Sequence, residues 1–215
     1  MKAILALHAE DLRQQLLDPD FHACLAVDRI QVNVDDEAVA PAMRPGPGPQ
    51  ITAVLSLWAD DVATAIDVVR RLDPTVHAWA VTEREPLPPP PRVDGERTDA
   101  LANFAFLRRP ESMPHDEWLA DWLERHTQVA IDTQGTFGYV QNPVLEPLVE
   151  GSADVAGIVE ELFPMAAMSD HHAFYGSGRD QAEFTRRFSA LMESCARFGA
   201  DQGLDLVPTS RYTFG

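Results

Sequence analysis

The chain's 215 residues and 23.8 kDa suit one large domain or two small ones, and at that size folding buries roughly 70% of the unfolded surface, so no disulfide or metal staple is required. Thirty-four Asp and Glu against seventeen Lys and Arg leave a formal charge of −17. That field repels phosphate backbones and anionic lipid, which excludes nucleic acid and membrane as expected partners and disfavours dinucleotide cofactors. Two cysteines, Cys24 and Cys195, are too few for a disulfide framework or a Cys-rich zinc site. The apolar stretch Ala3–Leu7 is too short for a signal-peptide core, and no apolar run approaches the ~18 residues of a membrane span, so a cytoplasmic protein is expected.

In chain order, Met1–His8 is an apolar run that predicts a strand, and Asp11–Ala26 predicts a helix from Leu12, Leu16, Phe21 and Leu25, interrupted at Pro19. Arg29–Val34 alternates Ile30, Val32 and Val34 with polar residues, a period-two strand. Pro45–Pro49 is a loop of alternating proline and glycine, Ile51–Trp58 a second apolar strand, Asp61–Leu72 a helix through Val62, Ile66 and Val69, and Val76–Val81 a strand. The order is βαββαβ. Glu85–Arg92, with five prolines, cannot be helix or central strand and reads as a stiff connector.

The same order returns after it. Asn103–Leu107 predicts a strand, Pro114–Ala130 a helix with Ser112 as cap and proline in its first turn, and Thr136–Gln141 and Gly157–Phe163 strands. Gln181–Phe198 predicts a helix with Phe184, Phe188, Leu191, Cys195 and Phe198 on one stripe, and Leu204–Phe214 a last strand. Cys195 therefore reads as core filler. Arg29–Asn33 parallels Gly138–Asn142, and Ala53–Asp60 parallels Gly157–Pro164. The expected fold is α+β: two tandem ferredoxin-like βαββαβ modules, residues 1–92 and 93–215, packed sheet to sheet as an intramolecular pseudo-dimer.

Phe104–Pro110, followed by a helix carrying Trp118, Trp122 and His126 at steps of four, resembles the EthD-type family of the dimeric α+β barrel group. Tyr139–Asn142 and Gly157–Phe163 are similar to that family's second and third strands, with Leu162 where a tryptophan is common. The resemblance covers roughly residues 101–214; the first half matches only in its order of elements and its third strand, and lacks the Trp-x-x-x-His helix. It implies a barrel, and relatives tied to the degradation of ethers and aromatic compounds or acting without cofactor on polyketide-like rings.

Helical spacing sets Trp118, Trp122 and His126 on neighbouring positions of one apolar face, where desolvation lowers an imidazole's pKa. A neutral His126 there suits proton abstraction from an aromatic-like substrate; the alternative is a core histidine bonded to a neighbour. Tyr139 and Gln141 share one strand face and could polarise a substrate oxygen, with Asn142 beside them, or could simply pair across strands. Arg108 could hold an anionic group or pair with a surface carboxylate. Trp118 and Trp122 could stack on a planar ligand or fill the core. Asp170-His171-His172 lies in a polar loop, but neighbouring side chains seldom converge on one ion, and no zinc, phosphate-loop or nucleophile-elbow motif is present, so no metal and no cofactor are expected. His77 alternates with Trp79 and reads as structural.

Three functions fit these residues: a cofactor-free enzyme (oxidoreductase, isomerase or lyase) on a small apolar or aromatic substrate, a non-catalytic binder of such a ligand, and a haem-binding barrel with a histidine ligand. The chain is expected to be a monomer with its internal pseudo-dimer, or a homodimer, with one working site in the second half.

Overall fold

In the computed structural model, which describes residues 1–91 and 93–215, nine strands carry the chain. The first half runs β1 (Lys2–Leu7), α1 (Arg13–Leu16), α2 (Pro19–Leu25), β2 (Arg29–Val34), β3 (Ala53–Trp58), α3 (Ala63–Leu72) and β4 (His77–Val81). After β5 (Arg84–Leu87) come β6 (Leu101–Leu107), α4 (His115–Ala120), a π turn (Asp121–His126), α5 (Thr127–Thr133), β7 (Gly138–Pro147), β8 (Gly157–Phe163), a 3-10 turn (Met165–Met168), α6 (His171–Phe174), α7 (Gln181–Phe198) and β9 (Asp205–Phe214).

The strands of the first half lie in the order β4-β1-β3-β2 and those of the second in the order β9-β6-β8-β7, all antiparallel. The two sheets do more than face each other. β2 bonds to β9, with Val32 opposite Tyr212, and β4 bonds to β7, with Trp79 opposite Pro147, so eight strands close into a barrel. Closure removes the unpaired edges that two stacked sheets would leave.

Each strand alternates between the barrel interior and a helix-covered outer face. Inside are Ile4, Val54, Trp79, Phe104, Phe106, Ile158 and Val207, together with a buried polar belt. In that belt Arg211 pairs with Glu160 at 2.9 Å, and Gln31 donates to Glu160 at 2.8 Å. Asn33 donates to Thr209, and the Lys2 ammonium donates to Asn142 and Glu83 at 2.7 Å each. The interior is thus a filled core. Outside, α1, α2 and α3 cover the first half through Leu16, Leu25, Ile66 and Val69, while the helices of the second half cover theirs through Trp118, Trp122, Leu191 and Phe198.

Three expectations change. The helix expected over Asp11–Ala26 is two short ones: Pro19 cannot donate to a preceding turn, so it opens α2, with the Asp18 carboxylate accepting from the Asp20 amide at 2.8 Å. The helix expected over Pro114–Ala130 extends to Thr133 and widens over Asp121–His126. The proline-rich connector opens as strand β5, paired with the start of β7, and Pro86 falls where the register breaks between Arg84 and Leu87. Its last residue, Arg92, lies outside the described residues. Among the described residues no helix is long and apolar enough to cross a membrane.

Gly157 seats the second helical layer. A Cβ there would fall inside contact distance of the Trp122 ring and lie 3.0 Å from Trp118, both fully buried. Gly157→Ala is therefore expected to cost about 1–3 kcal/mol, the range of overpacking in a close-packed core, read as a shift of the urea unfolding midpoint without change of slope.

Candidate functional site

The helix from His115 to Thr133 packs its tryptophans against the outer face of the sheet. Trp118 is fully buried and its indole N–H donates to the Phe198 carbonyl at 3.0 Å, which makes it a core pin. In the π turn, i→i+5 bonding widens the helix, so a step of four no longer overshoots one turn and Trp122 and His126 stack toward the same side. Trp122 is also fully buried, and its Nε1–H makes no well-aligned hydrogen bond, reaching instead toward the Tyr139 hydroxyl. A poorly matched buried donor is costly, and such groups cluster at functional sites.

The sheet supplies the opposing polar groups. On the helix-facing side, Asn103 of β6, Glu161 of β8 and Tyr139 of β7 stand directly opposite one another across three strands. The Tyr139 hydroxyl sits beside Trp122 and Gln141. With its amide turned to meet complementary partners, Gln134 donates to the Glu161 carboxyl at 2.9 Å and to the Ala130 carbonyl at 3.1 Å.

Between helices and sheet lies a cavity of about 510 Å³, within the range of small-molecule sites. Leu107, Val159, Leu191, Met192 and Phe198 make most of its wall; Trp122, His126, Tyr139, Glu161, Gln134, Tyr175 and Cys195 add the polar groups. The first half contributes Pro45, Gly46 and Pro47 to the same wall. That loop is tied to β9 by the Gly48 amide donating to Asp205 at 3.0 Å and the Leu206 amide donating to Pro45 at 2.9 Å. Gly46 has no side chain because a Cβ there would strike the Asp205 carboxylate. A wider groove of about 900 Å³ on the first half is open and acidic, and two of its carboxylates are engaged, Asp35 by Arg44 and Asp36 by Arg13.

Burial sets the protonation states. The His126 imidazole is pulled down to about 4, chiefly by burial and further by the Arg197 cation, so it is neutral at pH 7 and a weak base. Its Nδ1 lies 3.0 Å from the Ser194 hydroxyl, which Arg197 also approaches at 2.9 Å. Burial raises the Glu161 carboxyl to about 7 despite the Gln134 hydrogen bond. It also pushes the Tyr139 phenol above its usual range, and the Tyr175 phenol and the Cys195 thiol up to about 12, with Glu161 adding to each. The cavity therefore holds one group that both gives and takes a proton near neutrality, two phenols that stay protonated, and an indole N–H turned to one of them. Among the described residues its lining contains no Lys or Arg, and no group of three or more His, Cys, Asp or Glu could hold a metal ion.

Of the residues singled out from sequence, His126, Trp122 and Tyr139 meet at this cavity. Gln141 stands just behind it, donating to the Thr127 hydroxyl at 3.0 Å. Three others, expected as substrate-binding or as structural, are engaged elsewhere. Trp118 is spent on the Phe198 carbonyl. Asn142, one residue out of phase with Tyr139 and Gln141, points into the barrel, where it donates to the Ile158 carbonyl and accepts from Lys2. Arg108 pairs with Asp205 at 2.6 Å and donates to the Gly203 carbonyl; Gly203 lines the cavity, but Arg108 itself does not. Asp170 caps α6, and His172 is bonded to Ser177 at 2.6 Å, a local structural arrangement. Glu161, Gln134 and Tyr175 were not foreseen; the period-two alternation of β8 was the signal that could have placed Glu161 beside Val159 on the helix-facing side.

No family model matches the chain, and no curated protein matches it. Among solved structures, one of an anthrone oxidase-like protein superposes with a TM-score of 0.54 at 13% identity, covering 99% of this chain and 92% of that one. A protein of Lactobacillus acidophilus NCFM, provisionally assigned as a monooxygenase, gives 0.49 at 8% identity, covering 98% and 92%. At 13% identity the likeness to the first of these shows the fold alone, an α+β barrel.

The raised Glu161 carboxyl has a consequence for stability. Its folded pKa of about 7 lies above the model-peptide 4.5, so the folded chain holds this proton longer than the unfolded one. Stability falls as pH rises from about 4.5 to about 7 and levels off above. Glu161→Gln removes that penalty of about 3 kcal/mol. The variant should match the wild type in urea unfolding at pH 4 and exceed it at pH 8.

Proposed function

We propose that the chain is an enzyme acting on a small, apolar, aromatic substrate in the cavity of its second half, moving a proton on it and oxygenating the resulting anion with dioxygen. The observation that carries the reading is the buried Trp122 Nε1–H turned to the Tyr139 hydroxyl, in a mostly apolar wall. Two donors in a dry site are matched to an oxygen that gains negative charge. The oxidative class is taken from the anthrone oxidase-like protein of the same fold.

In the finer reading, the halves are two fused ferredoxin-like modules of EthD-like descent, and the chain works as a monomer whose internal pairing stands in for a dimer. The repeated strand order supports the first part; the Pro45–Pro47 wall, contributed by one half to the cavity of the other, supports the second. With no Lys or Arg among the described residues of the lining, the site favours an uncharged ligand over a phosphate or an acid.

Anthrone, a tricyclic ketone with an acidic methylene, is the first probe. Native mass spectrometry of the full chain with excess anthrone is expected to show one molecule per 23.8 kDa chain, and aerobic incubation to consume it. Trp122→Phe, which removes the N–H and keeps a ring, should lower kcat/KM at least tenfold, the scale of ~1.5 kcal/mol for one hydrogen bond to a charged group. One bound anthrone with no consumption would replace the enzyme by a carrier of aromatic ligands; two per chain would overturn the single site.

A further inference from the structure

We infer that Glu161 is the catalytic base of this site, taking a proton from a C–H or O–H acid whose oxygen rests against Trp122 Nε1. The inference deepens the reading above and rests on it. In the step, the substrate's C–H or O–H bond breaks, an O–H bond forms on the Glu161 carboxylate, and the electron pair stays on the substrate as an enolate or phenolate. The step balances without any oxidant.

Three observations carry it. The carboxyl lines the cavity, and among the described residues its hydrogen bond comes from Gln134, which fixes its orientation and leaves lone pairs facing the cavity. Its cross-strand neighbour Tyr139 has its hydroxyl against the Trp122 N–H, so base and oxygen-binding donors are adjacent. The equivalent row of the first half contains no such groups: Ala3, Leu57 and Ile30 stand opposite one another in the register of Asn103, Glu161 and Tyr139, and all three are core. The barrel needs no carboxyl at this position, and burying one where leucine serves is costly unless the group has a use.

The other bases are poorer. His126 is held by Ser194 with the Arg197 cation behind it, and Asp201 lies exposed at the rim, where water solvates it. Facing Glu161 are Tyr139 from β7, Tyr175 after α6 and Cys195 from α7, all kept protonated, with Arg197 and Asp201 acting on Cys195 from beyond. Asn103 faces it from β6 and carries no charge.

The test is deuterium exchange at the anthrone methylene in oxygen-free D2O, followed by mass spectrometry, on the full chain. The wild type should accelerate exchange, with a rate that rises tenfold per pH unit and bends to a plateau near pH 7, as the carboxylate form fills. Glu161→Gln should bind anthrone within about threefold of the wild type and lose at least ~100-fold of the accelerated rate, the scale of general base catalysis. Glu161→Asp keeps a carboxylate set back by one methylene, and should keep the bend while exchanging more slowly. Exchange at the wild-type rate in Glu161→Gln with anthrone bound overturns the assignment of the base and leaves the cavity reading standing. A wild-type profile without a bend between pH 5 and 9 does the same and needs no variant. Failure of the wild type to bind anthrone overturns the cavity reading itself, and the base with it.

Discussion

Glu160 sits inside the barrel, 3% exposed, held by Arg211 from β9 at 2.9 Å and by Gln31 from β2 at 2.8 Å. A buried carboxylate has few tolerable alternatives, so this contact fixes which face of β8 looks inward. Because side chains alternate with period two, a slip of one residue would exchange the faces of the whole strand. With Glu160 committed to the interior, Val159 and Glu161 are committed to the helices. Lys2 with Asn142 and Asn33 with Thr209 repeat the arrangement across both seams of the barrel. The interior polar belt thereby sets the register between the halves, and the position of every group in the cavity follows from it.

The cavity exists because the elements around it are held at set distances. Gly157 lets two tryptophan rings lie against the sheet, the π turn brings Trp122 and His126 to one side, and Gly46 lets the first-half loop close on Asp205. At two of these points a residue is missing its side chain; at the third the helix departs from ideal geometry. Local ideality is given up where the site is built, a trade commonly seen at functional sites.

How far the sequence revealed this follows from the range of each signal. Strands β2 and β8 and helix α7 were legible to the residue, because their hydrophobic periods are local and uninterrupted. Trp122 and His126 were legible for the same reason, although the π turn that aligns them has no local signature. For Arg108 the sequence left an anionic ligand and a carboxylate partner open, because that partner, Asp205, is 97 residues away and only the fold joins them. Asn142 was misplaced against evidence already in the strand: Tyr139 and Gln141 share a face, so the next residue must point the other way. Glu160 and Glu161 could not be distinguished without knowing where Arg211 and Gln31 lie, since adjacent glutamates carry the same local information and differ only in their distant partners.

The two halves place the same strand order over different contents, and that difference shows what the fold requires and what the site adds. In the first half the helix-facing row Ala3, Leu57 and Ile30 packs against Leu16 and Leu25, and short helices broken at Pro19 cover it without leaving space. In the second, a longer helix with a widened turn stands over Asn103, Glu161 and Tyr139, and a cavity of about 510 Å³ opens between them. Burial in that cavity drives two ionisable groups in opposite directions, His126 down and Glu161 up, because each is favoured in its neutral form. The imidazole is thereby taken out of proton transfer near pH 7, while the carboxyl is moved to where transfer is most effective. The same desolvation that a folded core must pay for thus selects the carboxylate, not the histidine, as the working base of an apolar site.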